Sequence, residues 1–472
     1  MDSYEAFKQA ADDTAKTFAL VDKKEVIRVV SHLDADGICA ASILIHALHK
    51  ENRTYNLSIL PQLKEENIRS FSKENHNVYV FTDLGSGQLD ALQKYLACKT
   101  IFILDHHQLQ NNIKASHIHQ LNPCLFGIDG SSQISGAGVV YLFSKALTQS
   151  TDMSHIAIIG AIGDAQEDQG FAPLNTEILQ DAIACGSIEV TRGLKFFGLQ
   201  TRPLHKLLQY STETVIPEVT GSESNALHFL QQLGINPHKG SAWKKLNDLT
   251  MEEKKKLIAA IVLKRAELPR PDDVLSNVYL LRNEEEQSPL REAKEFSTLL
   301  NSCGRLNKAS LGIGACLNDP VLKVKAIQTL QEYKRAIMLA MQWYHENKHN
   351  ASFVLHKEQY MIINAEQHIP ANMIGTLTSI LTMGNEFKKG FYVLSMAHNE
   401  DLTTKVSLRV AGRGEDVDLK SIITRILEKL GEGEGGGHVY AAGAVIPTEK
   451  EDEFLVAAQD VLDGLVVEEK VE

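Results

Sequence analysis

An α/β architecture is predicted, with a parallel-sheet domain, a helical insert and a second, smaller α/β domain. Three observations predict it. Short β-branched or aromatic runs, Val26 to Val30, Leu57 to Leu60, Val78 to Thr82 and Ile101 to Leu104, alternate with helical patterns, the signature of a largely parallel sheet. Between about Thr201 and Ser288 the strand signals fade, and segments such as Met251 to Leu268 read as helices with charged faces. From Phe296 to Leu306 a helix then leads into renewed alternation, with strands expected at Ser352 to His356, Tyr360 to Asn364, Phe391 to Met396 and Thr404 to Val410. Domains are accordingly expected at residues 1–210, 211–290 and 291–472, since 472 residues exceed what one core serves.

The chain contains neither an 18-residue apolar run nor a basic start followed by an apolar stretch, so a cytoplasmic protein without membrane partners is expected. Its six cysteines lie far apart without a CxxC pair, which argues against a disulfide framework or a zinc ribbon and for buried small hydrophobes. A net charge of −12 looks wrong for a nucleic-acid binder, but Pro447 to Glu472 alone carries nine acids against two lysines. This acidic C-terminal tail leaves room for a local basic channel elsewhere.

Acid and imidazole side chains follow four apolar runs. Val26 to Val30 leads into Ser31-His32-Leu33-Asp34-Ala35-Asp36-Gly37, Val78 to Thr82 into Asp83, Ile101 to Leu104 into Asp105-His106-His107, and Ile156 to Gly163, read as a further strand, into Asp164. Strand carboxyl ends in an open α/β sheet converge on one crevice. A single acid there is an ordinary loop residue; four clusters in one sheet are not explained that way. Carboxylates joined by imidazoles suit Mn²⁺, with Mg²⁺ as second choice, and the absence of nearby thiolates argues against structural zinc. A turn at Gly37 can divide Asp34 and Asp36 between two ions, with Asp83 bridging. Two ions about 3.5 to 4 Å apart polarise a phosphoryl oxygen and lower the pKa of water, so no covalent protein nucleophile is required.

A second constellation lies near the end of the chain. In Gly433-Glu434-Gly435-Gly436-Gly437-His438 the glycine N–H groups can form an anion-binding nest beside an imidazole, a flexible loop being the plain alternative. On a predicted strand, Ser407-Leu408-Arg409 sets a hydroxyl and a guanidinium on one face, suited to a phosphate oxygen. Trp243 and Trp343 are expected as packing residues, and Lys323, Lys325, Lys334 and Arg335 as a solvated helical face.

These motifs, in this order and spacing, resemble those of the DHH phosphoesterase superfamily, and the second constellation resembles its DHHA1 substrate-binding domain. The resemblance implies that Asp34, Asp36, Asp83, His106 and Asp164, with His32, bind a pair of Mn²⁺ ions, and that His107 faces the scissile phosphate. Some relatives carry a ligand histidine four residues before the first aspartate, where this chain has Val30. Ser407, Arg409, Gly436, Gly437 and His438 would hold the nucleotide across a cleft between the two domains. Leu300 to Arg305 resembles the segment that precedes DHHA1 in archaeal RecJ-like proteins, which implies substrate contacts for Asn301 and Arg305; a domain-interface salt bridge is the alternative for Arg305.

Resemblance to that archaeal group covers nearly the whole chain. It implies an exonuclease on single-stranded DNA or RNA in replication or repair, and association with the GINS complex of the replicative helicase through the insert or the acidic tail. Two other readings stand beside it. One is a small-substrate phosphodiesterase or phosphatase, of the oligoribonuclease or phosphoadenosine phosphate type. The other is a replisome scaffold.

Overall fold

The four β-branched and aromatic segments and a fifth strand line up in parallel in a computed structural model that describes residues 2–110, 115–168, 170–211, 214–384, 386–412, 417–438 and 441–469. They are β1 (Ile27–His32), β2 (Tyr55–Leu60), β3 (Val78–Thr82), β4 (Thr100–Leu104) and β5 (Ile118–Leu121), in the order β2-β1-β3-β4-β5. The chain steps from β1 to one side and then to the other, so the switch point of the sheet lies between β1 and β3. Register does the rest. Ser31 stands opposite Thr82 and Thr82 opposite Leu104, which sets the residues that follow, His32, Asp83 and Asp105, side by side at the carboxyl edge.

Both faces of this sheet are covered, which is why the inner strands β3 and β4 are apolar on both sides. Val29, Val80 and Phe102 meet a core built with α1 (Ser3–Ala19), α2 (Ala35–Lys50), α5 (Gly136–Thr148), α6 (Ser154–Gly163) and α7 (Pro173–Ala184). Val30, Tyr79, Phe81 and Ile103 meet α3 (Glu65–Phe71) and α4 (Leu89–Tyr95). The run Ile156 to Gly163, expected as a strand, is the helix α6. Period alone does not separate a fully buried helix from a buried strand, and here the helix packs among α2, α5 and α7.

Two antiparallel strands, β6 (Ile188–Leu194) and β9 (Leu275–Leu281), form the stem of the insert. The second lies inside the stretch expected to be helical. Its Ser276 and Asn277 are weak strand formers, and the pairing with β6 supplies what propensity does not. Between them, α8 (Leu204–Gln209), α9 (Glu223–Gln232) and α10 (Met251–Lys264) share a separate core around Leu207, Phe229 and Ile261, with a two-residue hairpin, β7 (His238–Lys239) and β8 (Ala242–Trp243). Trp243, expected to be buried, is 41% exposed at this hairpin, its ring against His205 and His238.

By contacts the chain divides at Leu330, within α13 (Pro320–Asn347). Residues 291–330, which the sequence grouped with the second domain, therefore belong to the first unit. The reason is the apolar face of α11 (Ala293–Arg305), where Phe296, Leu299, Leu300 and Cys303 join the first core, followed by α12 (Ala309–Cys316).

The second unit carries a six-stranded sheet of β10 (Val354–His356), β11 (Tyr360–Asn364), β12 (Tyr392–His398), β13 (Thr403–Val410), β14 (Glu434–His438) and β15 (Ala441–Pro447), in the order β10-β11-β12-β13-β15-β14. α14 (Ala371–Met383) packs on β12 and β13. α15 (Leu419–Leu430) and α16 (Glu451–Glu469) close a core with Leu394, Leu408 and Ile446. The acidic tail is thus an amphipathic helix whose Phe454, Ala458, Val461 and Leu462 are buried, with Asp452, Glu453, Asp460 and Asp463 exposed. Tyr360 donates to Asp463 Oδ1 at 2.9 Å across that contact. Tyr360→Phe is expected to cost about 0.5 to 1.5 kcal/mol in chemical denaturation; no change would mean that α16 does not dock there.

Three of the six cysteines, Cys39, Cys303 and Cys316, are buried as expected, whereas Cys98 and Cys185 are exposed. Among the described residues no helix is long and apolar enough to cross a membrane.

Candidate metal centre

The chain leaves β1 through a loop that Ser31 pins: its hydroxyl donates to the Gly37 carbonyl at 2.7 Å and accepts from Thr82 Oγ1 at 2.7 Å. Asp34 then caps α2, accepting from Gly37 N at 3.0 Å. Two residues on, Asp36 is buried, and its two oxygens accept from Gly136 N (2.6 Å) and Ala137 N (3.0 Å) at the start of α5. A helix N-terminus thereby holds the carboxylate in a single orientation. Side-chain-free positions make this fit possible: a Cβ on Gly136 would lie 2.9 Å from Asp36 Oδ2, and one on Gly160 of α6 would lie 2.5 Å from Asp36 Oδ1.

Asp83 stands at the centre. Its backbone is left-handed (φ 56°), a conformation that aspartate tolerates better than most residues and that re-aims the side chain at the strand end. It is 2% exposed, yet neither carboxylate oxygen makes a hydrogen bond. Oδ1 lies 3.2 Å from His106 Nε2, and Oδ2 lies 3.5 Å from His32 Nδ1. Two groups of donor atoms flank it. His32 Nδ1 is 3.0 Å from Asp34 Oδ2. His106 Nε2 is 3.5 Å from Asp164 Oδ2 and 3.8 Å from Asp36 Oδ2. Asp164 reaches this point as the residue that ends α6, not as a strand-end residue.

Both imidazoles are oriented from behind by backbone carbonyls. His106 Nδ1 donates to Gly130 O at 2.8 Å, and His32 Nε2 donates to Pro61 O at 3.2 Å. A carbonyl only accepts, so in each neutral ring the other nitrogen turns a lone pair towards the carboxylates. Lone pairs facing lone pairs fit cations placed between them, and the carbonyls have the outer-layer role that fixes ligand tautomers in metal sites. Two adjacent sets result, His32, Asp34 and Asp83 on one side and Asp36, His106 and Asp164 on the other, each with ligand atoms within 4.8 Å of one another.

Electrostatics point the same way. Burial pushes the Asp36 carboxyl up to about 7, with the Asp83 charge beside it as the next cause. Burial opposes charging His106, but Asp83, Asp164 and Asp36 outweigh it and push the ring well above the ordinary imidazole value. Without cations the cluster retains protons that metal binding would displace.

Asp105, in the motif but not among the residues singled out, is fully buried. Its Oδ1 accepts from His107 Nδ1 at 2.8 Å and His106 N at 2.8 Å, and Oδ2 accepts from Ser86 N at 3.0 Å. Burial would raise its pKa, yet the adjoining imidazoles hold it well below the usual carboxylate range. Asp105 thus sets the ring of His107, which is 38% exposed.

Asn301 and Arg305 lie on α11 in the first unit. The Asn301 carboxamide oxygen accepts from Ala35 N at 3.0 Å, inside the Asp34-to-Gly37 turn. In the second unit, Ser407 and Arg409 lie under α14: a Cβ on Gly375 would be 3.3 Å from Ser407 Oγ and 3.8 Å from Arg409 Nη2, and Arg409 Nε donates to Ser379 Oγ at 3.2 Å. Arg409 Nη1 also donates to the carbonyls of Leu408 and Ala442. Gly436 and Gly437 lie in β14, an edge strand paired with β15, not in a nest. Extended backbone points successive N–H groups in opposite directions and does not gather them on one anion. The side chain of His438 lies outside the described residues.

Comparisons with known proteins bear on this geometry. Residues 26–163 match the DHH family, N-terminal domain; residues 196–274 match the DHH-CID domain; and residues 358–464 match the DHHA1 domain. Uncharacterized protein MJ0831 of Methanocaldococcus jannaschii is 30% identical over 446 residues, 92% of this chain and 93% of that one. Among solved structures, CDC45 from Entamoeba histolytica superposes with a TM-score of 0.66 at 12% identity, covering 97% of this chain and 98% of that one. RecJ in complex with Mn²⁺ from Thermus thermophilus superposes with a TM-score of 0.57 at 15% identity. That match covers 96% of this chain and 54% of RecJ, so the chain spans about half of that protein's length.

Proposed function

Because the chain belongs to the DHH family and carries its DHH, DHH-CID and DHHA1 domains, we propose that it is a metal-dependent phosphodiesterase that trims single-stranded DNA or RNA from an end. The observation that carries the reading is Asp83, buried, without a hydrogen bond on either oxygen and flanked by two imidazole-carboxylate sets. Two Mn²⁺ ions, or Mg²⁺ in their place, supply Lewis-acid stabilisation and a water of lowered pKa when bound. Asp34 and His32 would hold one, Asp36, His106 and Asp164 the other, and Asp83 both. His107, its Nδ1 proton committed to Asp105, presents Nε2 for the phosphate or its leaving oxygen. Ser407 and Arg409 bind the nucleotide through its phosphate.

A second reading is favoured by the likeness to CDC45 over nearly the full length of both chains: a replisome scaffold that engages GINS and the helicase. Intact ligand sets are not needed for that role. A third, the small-substrate phosphodiesterase, is supported by the same metal centre. End-labelled single strands of DNA and RNA, from two nucleotides to about thirty, separate the three when digested with Mn²⁺ and then with EDTA. Hydrolysis of long single strands that stops in EDTA is expected. Full activity in EDTA would sink the metal reading, activity confined to dimers and trimers would promote the small-substrate enzyme, and no hydrolysis at all would promote the scaffold.

A further inference from the structure

We propose that Asn301 is a positioning residue of the metal centre, holding the Asp34-to-Gly37 turn from behind, and not a substrate contact. The inference rests on the two-metal reading and adds a residue outside its ligand set. The first N–H groups of a helix have no partner within it. At the start of α2, Asp34 accepts the N–H of Gly37, and the N–H of Ala35, between the ligands Asp34 and Asp36, is taken by Asn301 Oδ1 at 3.0 Å from 266 residues away. α11 comes close enough for this because of Gly304, where a Cβ would lie 1.7 Å from the Leu33 carbonyl oxygen. The same helix reaches the other metal-bearing turn, since a Cβ on Gly163, next to Asp164, would lie 3.2 Å from Ser297 Oγ.

α11 is itself held rigidly. Phe296, Leu299, Leu300 and Cys303 are buried in the first core. Near its start, Glu295 accepts from Gln200 N at 2.7 Å and Thr201 Oγ1 at 2.5 Å. A side chain presented from such a helix can hold a ligand-bearing turn within the narrow tolerance that metal sites require. Losing the Oδ1 acceptor orphans the Ala35 N–H and frees the turn, which changes where Asp34 and Asp36 point without removing either.

Mn²⁺ titration of the purified full-length chain, followed by electron paramagnetic resonance without substrate, tests this alongside steady-state kinetics. Asn301→Ala is expected to raise the Mn²⁺ dissociation constant by about 10- to 100-fold, as outer-layer partners of metal ligands do. It should lower kcat and leave KM for a single-stranded oligonucleotide unchanged. Asn301→Asp, which keeps an acceptor oxygen in place, should restore most of the Mn²⁺ affinity. Unchanged Mn²⁺ affinity in Asn301→Ala overturns the proposal while leaving the two-metal reading standing, and a raised KM with intact Mn²⁺ binding would return Asn301 to the substrate. Failure of the wild-type chain to bind Mn²⁺ overturns both.

Discussion

Asp83→Ala is expected to abolish hydrolysis, with turnover reduced by about a thousandfold or more, equivalent to about 4 kcal/mol in the barrier. Both proposed cation positions depend on this carboxylate, whose oxygens face His106 Nε2 at 3.2 Å and His32 Nδ1 at 3.5 Å. Mn²⁺ stoichiometry, read by paramagnetic resonance, should fall from two towards none. The fold should survive, because removing one of several mutually repelling buried carboxylates relieves the metal-free cluster. Alanine adds a backbone cost of roughly 1 kcal/mol in the left-handed conformation at φ 56°. Asp83→Asn separates the two effects, since asparagine tolerates that conformation and keeps the shape but lacks the charge. Retention of more than about a tenth of wild-type turnover in either variant, a loss of under 1.4 kcal/mol, would argue against bridging.

Gly160→Ala should destabilise the protein, against the ordinary rule that alanine in place of a helical glycine stabilises by about 1 kcal/mol. The new methyl would lie 2.5 Å from both Ala137 Cβ and Asp36 Oδ1. Neither neighbour can yield easily: Ala137 is backbone-anchored in α5, and Asp36 is clamped by Gly136 N and Ala137 N. Overpacking of this kind costs about 1 to 3 kcal/mol. Its functional effect should be larger, because displaced Asp36 leaves the set with His106 and Asp164, and one of the two Mn²⁺ ions should be lost. Urea denaturation and Mn²⁺ counting check the two parts. A gain in stability with two ions still bound would mean that α2, α5 and α6 do not pack as closely as described.

Much of the site is legible because chemistry and local pattern coincide there. Asp34, Asp36, Asp83, His106 and Asp164 each end an apolar run, and the parallel sheet brings most such ends to one edge. Asp164 arrives by a different route, at the end of helix α6, since an eight-residue buried apolar run has no polar face from which to read its period. Weak strand formers concealed β9, whose partner β6 lies about eighty residues away in the chain, further than any local pattern extends.

By itself, the sequence determined the chemical alphabet of this protein and its order: carboxylates and imidazoles after apolar runs, serine and arginine on one face of β13, acids gathered in a C-terminal segment. Tertiary structure alone decided how those groups are oriented and held. Pro61 and Gly130 offer carbonyls that any residue could supply, yet they select the tautomers of His32 and His106. Likewise Asn301 meets Ala35 N because the close approach at Gly304 brings α11 onto the Asp34-to-Gly37 turn, and α16 docks as a helix because Phe454 and Leu462 find a core. Contacts of that kind join backbone atoms, or residues far apart in the chain, and neither carries a local signature in the amino-acid order.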